Sequence, residues 1–203
     1  MLLIGPFLYA NGATYSGQYK DGSRDGYGKQ IWKDGSCYEG QWFEDNAKGF
    51  GRLIHAEGDV YVGNWSDNKA NGYGTYTHLD GTIYEGEWEN DQQHGKGKEK
   101  WADQSHFEGI YRNGLKEGYG NFYWKDGSCY KGAFHNNSLN GMGTYVWADG
   151  RQFIGEWVDN QMHGKGVFTW TDGRKYEGSY VYDKKEGEGE FTWSDGRKYK
   201  GSW

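Results

Sequence analysis

Apolar and polar positions along this chain follow the period of strands, not of helices. An aromatic-x-Gly-x-aromatic motif opens at Tyr15, Tyr38, Tyr61, Tyr84, Phe107, Tyr130, Phe153, Tyr176 and Tyr199, each 23 residues after the last, with no insertion or deletion. Inside the motif the residues alternate, as Phe153, Gly155 and Trp157 do with Ile154 and Glu156, which is the two-residue period of a strand. A second run follows from Gly166, with Phe168 and Trp170 on one face and Val167 and Thr169 on the other. Between the two runs one repeat position holds only Gly, Asn or Asp: Gly22, Asp45, Asn68, Asp91, Gly114, Asn137, Asn160 and Asp183. These residue types tolerate positive φ, so the position reads as a turn. Asp-Gly dipeptides such as Asp34-Gly35 and Asp172-Gly173 close most units. The pattern predicts two short antiparallel strands per repeat and no helix.

The expected organisation is a single continuous array over residues 1–203. It comprises a partial unit at 1–14, repeats starting at 15, 38, 61, 84, 107, 130, 153 and 176, and a partial unit at 199–203. The fold class is all-β, an elongated single-layer twisted antiparallel sheet of stacked β-hairpins, a solenoid-like rod. About 18 strands at ~4.8 Å give roughly 85 Å, and each repeat touches only its neighbours. Gly-x-Gly pairs at the same pitch, from Gly26/Gly28 to Gly187/Gly189, fall beside large rings. Glycine normally weakens a strand, so these glycines are expected to let rings of neighbouring strands lie over bare backbone, each ring finding its cover in the next unit.

Composition supports this reading. Aromatics make up 19% of residues, glycine 36 of 203, and proline occurs once. Aliphatic residues are too few for an ordinary core, so the rings must carry the burial. The net charge of -6 argues against nucleic acid as a partner, because phosphate backbones reward concentrated positive charge. No apolar run approaches the ~20 residues of a membrane-spanning helix. The apolar start, Met1 to Ala10, lacks a basic leading segment and keeps the repeat register, so it reads as structure. A cytoplasmic location follows as the expectation.

The motif Tyr-x-Gly-x-Trp, with Gly-x-Gly and Asp-Gly at a 23-residue period, resembles the membrane occupation and recognition nexus (MORN) repeat over essentially the whole chain; Tyr84-Glu-Gly-Glu-Trp88 with His94-Gly-Lys-Gly97 is a close match. The resemblance implies a groove-bearing β-sheet. It also implies the settings of such arrays: cytoskeletal and ciliary scaffolds, and accessory segments of lipid kinases, junctophilins and a lysine methyltransferase. A repeat of this kind identifies a fold far better than a function.

Several local departures bear on the array. In the fifth unit Glu99 replaces an aromatic and Gln104 a turn glycine, which predicts a strained or remodelled turn and a bend or soft point at 99–106. His55 and His78 stand where other units carry Trp32, Trp101, Trp124, Trp147, Trp170 and Trp193, and are expected to soften the aromatic face. The segment Tyr199 to Trp203 reads as a first strand alone. It predicts an edge that pairs with a second copy or continues in a longer protein.

No phosphate loop, metalloprotease helix or nucleophile elbow is present, and no catalytic residue or cofactor is expected. Glu39, Glu85, Glu108 and Glu177 share one outer position and read as a solvated strand face. Cys37, His106 and Cys129 share another. Repeats ~10 Å apart put the two cysteines ~40 Å from each other, too far for a disulfide within one chain, and leave His106 and Cys129 too distant to share a zinc ion easily within one chain, a metal bridging two chains staying open. The candidate partner-binding residues are therefore Tyr38, Trp42, Tyr61, Trp65, Tyr84, Trp88, Trp124, Trp147, Trp157, Trp170 and Trp193, with Tyr199 and Trp203 as a candidate edge for self-association. Exposed aromatic surface marks interfaces. Two classes compete: a scaffold for protein partners or for a second copy, and a module for anionic phospholipid. Membrane binding needs clustered Lys and Arg, whereas Lys20, Lys33, Lys48, Lys69 and Lys125 are scattered among acids, which favours the scaffold. A third reading is a regulatory segment of a larger enzyme, such as a phosphatidylinositol phosphate kinase or lysine methyltransferase.

Overall fold

The computed structural model describes residues 2–203. It contains two compact units, Met1–Ala102 and Asp103–Trp203. Unit 1 holds strands β1 (Leu2–Leu8), β2 (Thr14–Lys20), β3 (Ser23–Ile31), β4 (Cys37–Phe43), β5 (Asn46–Ile54), β6 (Val60–Ser66), β7 (Lys69–Thr77), β8 (Ile83–Glu89) and β9 (Gln92–Lys100). Unit 2 holds β10 (His106–Arg112), β11 (Leu115–Tyr123), β12 (Cys129–His135), β13 (Ser138–Val146), β14 (Gln152–Val158), β15 (Gln161–Thr169), β16 (Lys175–Val181), β17 (Lys184–Thr192) and β18 (Lys198–Ser202). Within each unit every strand pairs antiparallel with the next, giving an open sheet of stacked hairpins with no helix among the described residues.

The hairpin turn is tighter than the sequence suggests. Glu44 (φ 45°) and Asp45 (φ 67°) are both left-handed, the signature of a two-residue type I′ turn that matches strand twist. The second position was legible as a residue that tolerates positive φ; the first was not, because Glu44 and Tyr182 (φ 45°) stand there despite a cost of about 1 kcal/mol for such residues.

The turn Asx side chain has a further role. Asp45 Oδ1 accepts the Arg24 N–H at 2.9 Å, and the Asp45 N–H donates to the Arg24 carbonyl at 3.1 Å. The pair recurs at Asn68 with Ala47, and at Asn137 with Lys116, each with a side-chain bond of 2.8 Å. Each hairpin tip that carries Asn or Asp is thus fastened to the preceding one.

The second strand also starts earlier than expected. In the hairpin of β14 and β15 it begins at Gln161, not Gly166. A bulge reconciles the two: in the β4–β5 hairpin Trp42 opposes Ala47 but Gly40 opposes Gly51, so Gln41 faces extra residues. Gly49 absorbs the kink at φ 92°, and Gln41 Oε1 caps the exposed Phe50 N–H at 2.7 Å.

The bulge sets the glycine pair opposite each other under one ring. A Cβ on Gly40 or Gly51 would strike Tyr38. The ring therefore covers glycines of its own hairpin; the expectation that cover comes from the next unit is corrected here. What the next repeat supplies is a lid. Trp65 meets Tyr38 edge to face at 5.1 Å and 86° and donates its indole N–H to the Gly51 carbonyl at 3.1 Å. Tyr38 itself donates to the Gln41 carbonyl at 2.9 Å. Burial of these rings, each pair worth about 1 kcal/mol beyond area, leaves Tyr38, Tyr61, Tyr84, Phe107, Tyr130, Phe153 and Tyr176 at 2% exposure or less.

The residue between the paired glycines points to the opposite face. There Tyr27, Phe50 and Tyr73 in unit 1, and Tyr119 and Met142 in unit 2, are exposed, so that face is less polar than the sequence implied. Glu39, Glu85, Glu108 and Glu177 lie exposed on it, as expected.

Candidate binding groove

Two kinds of ring face the same side of the hairpins. Those of the first strand form the core: Tyr38, Trp42, Tyr61, Trp65, Tyr84 and Trp157 are at most 8% exposed. Trp88 is half-buried between Tyr61 and Tyr84. Rings from the end of the second strand and the following turn lie over this core and border solvent. The candidate binding residues include the turn tryptophans but not their partners Tyr76, Tyr145, Phe168 and Phe191, which recur at one 23-residue position.

In unit 2 these residues make an unbroken ladder. Ring centroids are 4.4 Å apart from Phe122 to Trp124, 5.1 Å to Tyr145, 4.6 Å to Trp147, 5.2 Å to Phe168, 4.4 Å to Trp170, 5.7 Å to Phe191 and 4.9 Å to Trp193. Trp124, Trp147 and Trp170 are half-buried and Trp193 is exposed. Arg151, Arg174 and Arg197 lie 5.3–5.8 Å over Trp147, Trp170 and Trp193. Each is held by the aspartate two residues before it at 2.7–2.8 Å. Lys185 sits among Trp170, Tyr176, Phe191 and Trp203 at 4.7–5.1 Å and 5.2 Å for Phe191; burial, then Arg174, pulls its ammonium below the ordinary lysine range.

In unit 1 the ladder is interrupted. Gln30 and Leu53 replace second-strand rings, and His55 replaces a tryptophan. The smaller side chains leave an open groove of about 620 Å³ lined by Trp32, Tyr38, Trp42, Ala47, Trp65 and Tyr76, with Leu53, His55 and Asn68. Asp34, Glu57 and Asp59 stand at its rim. The His55 and His78 expectation thus takes a definite form at His55, a missing ring that opens space. Asp59 accepts the Leu79 N–H at 2.9 Å, the Tyr76 hydroxyl at 2.9 Å and His78 Nδ1 at 3.2 Å. These bonds hold its carboxyl below the usual range. Burial, followed by the bond to Asp59, pushes Tyr76 up to about 12.

The other candidates separate. Cys37 and Cys129 are free and half-buried, and no group of three or more His, Cys, Asp or Glu gathers to hold an ion among the described residues. Gln104 takes φ 76°, so the strained turn expected there is present. Tyr199 and Trp203 are 46% and 43% exposed, with Trp203 packed on Tyr176 at 5.1 Å. No helix of the described residues is long and apolar enough to cross a membrane.

Stacked hairpins with ring-over-glycine cores and type I′ tips define a β-hairpin repeat protein. The MORN repeat model matches residues 15–37, 38–60, 61–83, 84–106, 107–129, 130–150, 153–173 and 176–196, and the chain belongs to the MORN repeat family. Solved structures of the TCP10 domain share the fold at TM-scores above 0.5. The wild-type TCP10 domain of Danio rerio CPAP is 12% identical with a TM-score of 0.53, covering 98% of this chain and 94% of that one. A point mutant of the same domain gives 11%, 0.51, 98% and 99%. The SAS-4 (dCPAP) TCP domain of Drosophila melanogaster, in complex with a proline-rich motif of Ana2, gives 11%, 0.47, 87% and 89%. No curated protein matches in sequence.

Proposed function

We propose that this chain is a non-catalytic scaffold that holds segments of protein partners along the groove side of its hairpins. The observation that carries the reading is the ladder from Phe122 to Trp193, in which Phe168 is buried but Trp124, Trp147, Trp170 and Trp193 border solvent. Ordered aromatic surface of this kind suits an extended or helical segment with apolar anchors. Lipid headgroups are a poorer match, because Arg151, Arg174 and Arg197 are each already paired with an aspartate. Family membership adds support, since the MORN resemblance implies cytoskeletal scaffolds.

The test is selection from a displayed peptide library against the intact chain, followed by binding to Trp147→Ala and Trp170→Ala variants. Enriched peptides that lose about tenfold or more on both variants are the expected result. Failure to enrich any peptide, together with salt-sensitive pelleting on anionic vesicles, would overturn it.

A further inference from the structure

One repeat position varies from small to apolar to cationic beneath the groove. Arg24, Ala47, Ala70, Gln93, Lys116, Leu139, Met162 and Lys185 are spaced 23 residues apart. In each hairpin this residue opposes the second aromatic of the first strand, as Tyr19 opposes Arg24 and Trp42 opposes Ala47. The side chain therefore points into the groove, under rings of its own and the next repeat.

Three copies carry a cation there, and all three place it against ring faces. The Arg24 guanidinium lies 4.2 Å over Trp42. Its Nε donates to Asp45 Oδ1 at 3.0 Å, its Nη2 to the Asp45 carbonyl at 2.7 Å, and its Nη1 to Gln30 Oε1. Lys185 is enclosed by four rings with centroids 4.7 to 5.2 Å away. Lys116 is 5.2 Å from Phe107 and 5.4 Å from Tyr111. Leu139 and Met162 fill the same place with apolar bulk. Ala47 stops at Cβ, and the space above it is the unit 1 groove.

We infer that the groove over Ala47 receives one basic side chain, an arginine or lysine, presented by a protein partner. The inference rests on the scaffold reading above and names the chemistry of the partner at one place. The ring that answers Trp42 one repeat on is Trp65, and Tyr38, Trp42, Trp32 and Tyr76 complete the wall. The rim contributes the carboxylates of Asp34, Glu57 and Asp59. Among the described residues lining the groove none is Lys or Arg; Arg24 covers Trp42 from the repeat before, and His78 pairs with Asp59, which leaves Trp65 and Tyr38 with no cation over them at the position of Ala47. A guanidinium or ammonium satisfies both features through cation–π attraction and charge-assisted bonds, as Arg24 does through Trp42 and Asp45 one repeat earlier. A neutral side chain satisfies only the apolar walls.

The experiment follows the tryptophan indole N–H resonances of the intact chain during titration with N-acetylarginine amide and, separately, its neutral isostere N-acetylcitrulline amide. The arginine probe is expected to shift Trp42 and Trp65 saturably, about three- to tenfold more tightly than citrulline, and to leave Trp147 and Trp170 unmoved. Ala47→Arg should fold, place its own guanidinium in the cage and abolish the response. Should that variant fail to fold, Arg24→Ala serves instead: it empties a second cage and adds a second binding event. Equal affinity for arginine and citrulline, or an arginine response that survives Ala47→Arg, overturns the inference. Library peptides that bind at Trp147 and Trp170 without a basic residue for unit 1 would sink the cage and keep the scaffold. A saturable arginine response with no peptide enriched would do the reverse.

Discussion

Units 1 and 2 are built on the same repeat and differ on the side of the hairpins that the core leaves open. Unit 2 continues its core outward into a closed ladder of rings from Phe122 to Trp193, trimmed by arginines that their own aspartates neutralise. Unit 1 breaks the ladder with Gln30, Leu53 and His55, and the break becomes a groove rimmed by carboxylates. The difference separates two sets of repeat positions. The glycine pair, the leading ring and the Gly, Asn or Asp of the hairpin tip obey geometry and hardly vary. The second residue after the tip, the last ring of the second strand and the turn residue beyond it vary freely, and they decide what each stretch of surface can hold.

The largest expected effect tests whether the cores are truly alike. Gly51→Ala in unit 1 and Gly166→Ala in unit 2 both force a methyl into the ring above, Tyr38 and Phe153 respectively. Each should cost about 3 kcal/mol in urea unfolding; one unit tolerating its substitution would break the comparison. Next, Trp147→Ala removes ring contacts with Tyr145 and Phe168 and should cost about 2 kcal/mol, whereas His55→Ala should cost less than about 0.5 kcal/mol. Equal losses would mean that the unit 1 groove is as tightly packed as the ladder. A smaller effect has the opposite sign: Gln104→Gly relieves a left-handed backbone at φ 76° and should stabilise unit 2 by about 1 kcal/mol.

The last difference is silent at neutral pH. The leading rings of unit 1 are Tyr15, Tyr38, Tyr61 and Tyr84; two of the five in unit 2 are Phe107 and Phe153. Burial raises the hydroxyls of the unit 1 set, Tyr15 to about 12 and the others further. A raised folded value means that folding favours the neutral phenol. The contribution is complete below the unfolded value near 10 and is lost as pH climbs above it. Amide exchange followed from pH 8 to about 11 should show unit 1 loosening before unit 2, after allowance for the intrinsic rate. Simultaneous loosening would show that the tyrosine hydroxyls do not set the difference.

Much of this architecture was legible because its causes are local and recur. Period-two alternation and Gly, Asn or Asp at the tip specify hairpins without any long-range information. The left-handed first tip residue was hidden, since Glu44 and Tyr182 adopt a conformation that tip closure imposes on them against their preference. The bulge was hidden because it depends on how Gly40 is set against Gly51, a relation between strands and not within one. Groove-side residues such as Tyr76, Tyr145, Phe168 and Phe191 fall outside the candidate site for a different reason. Their position varies in chemistry from repeat to repeat, with Gln30, Leu53 and Glu99 among the copies, so no single residue type flags it. Nothing in the sequence alone distinguishes Trp42, which is sealed, from Trp147, which borders solvent.

The fastening of each hairpin tip to the one before it has a consequence for how such a chain can change over time. Asn68 reaches Ala47, and Trp65 reaches the Gly51 carbonyl, only when the repeats between them have the same pitch. One residue added inside a repeat would unhook both, while a whole 23-residue copy could be gained or lost with every hook re-engaged. Length therefore evolves in quanta: the number of modules is free to drift, and the module itself is held to gauge.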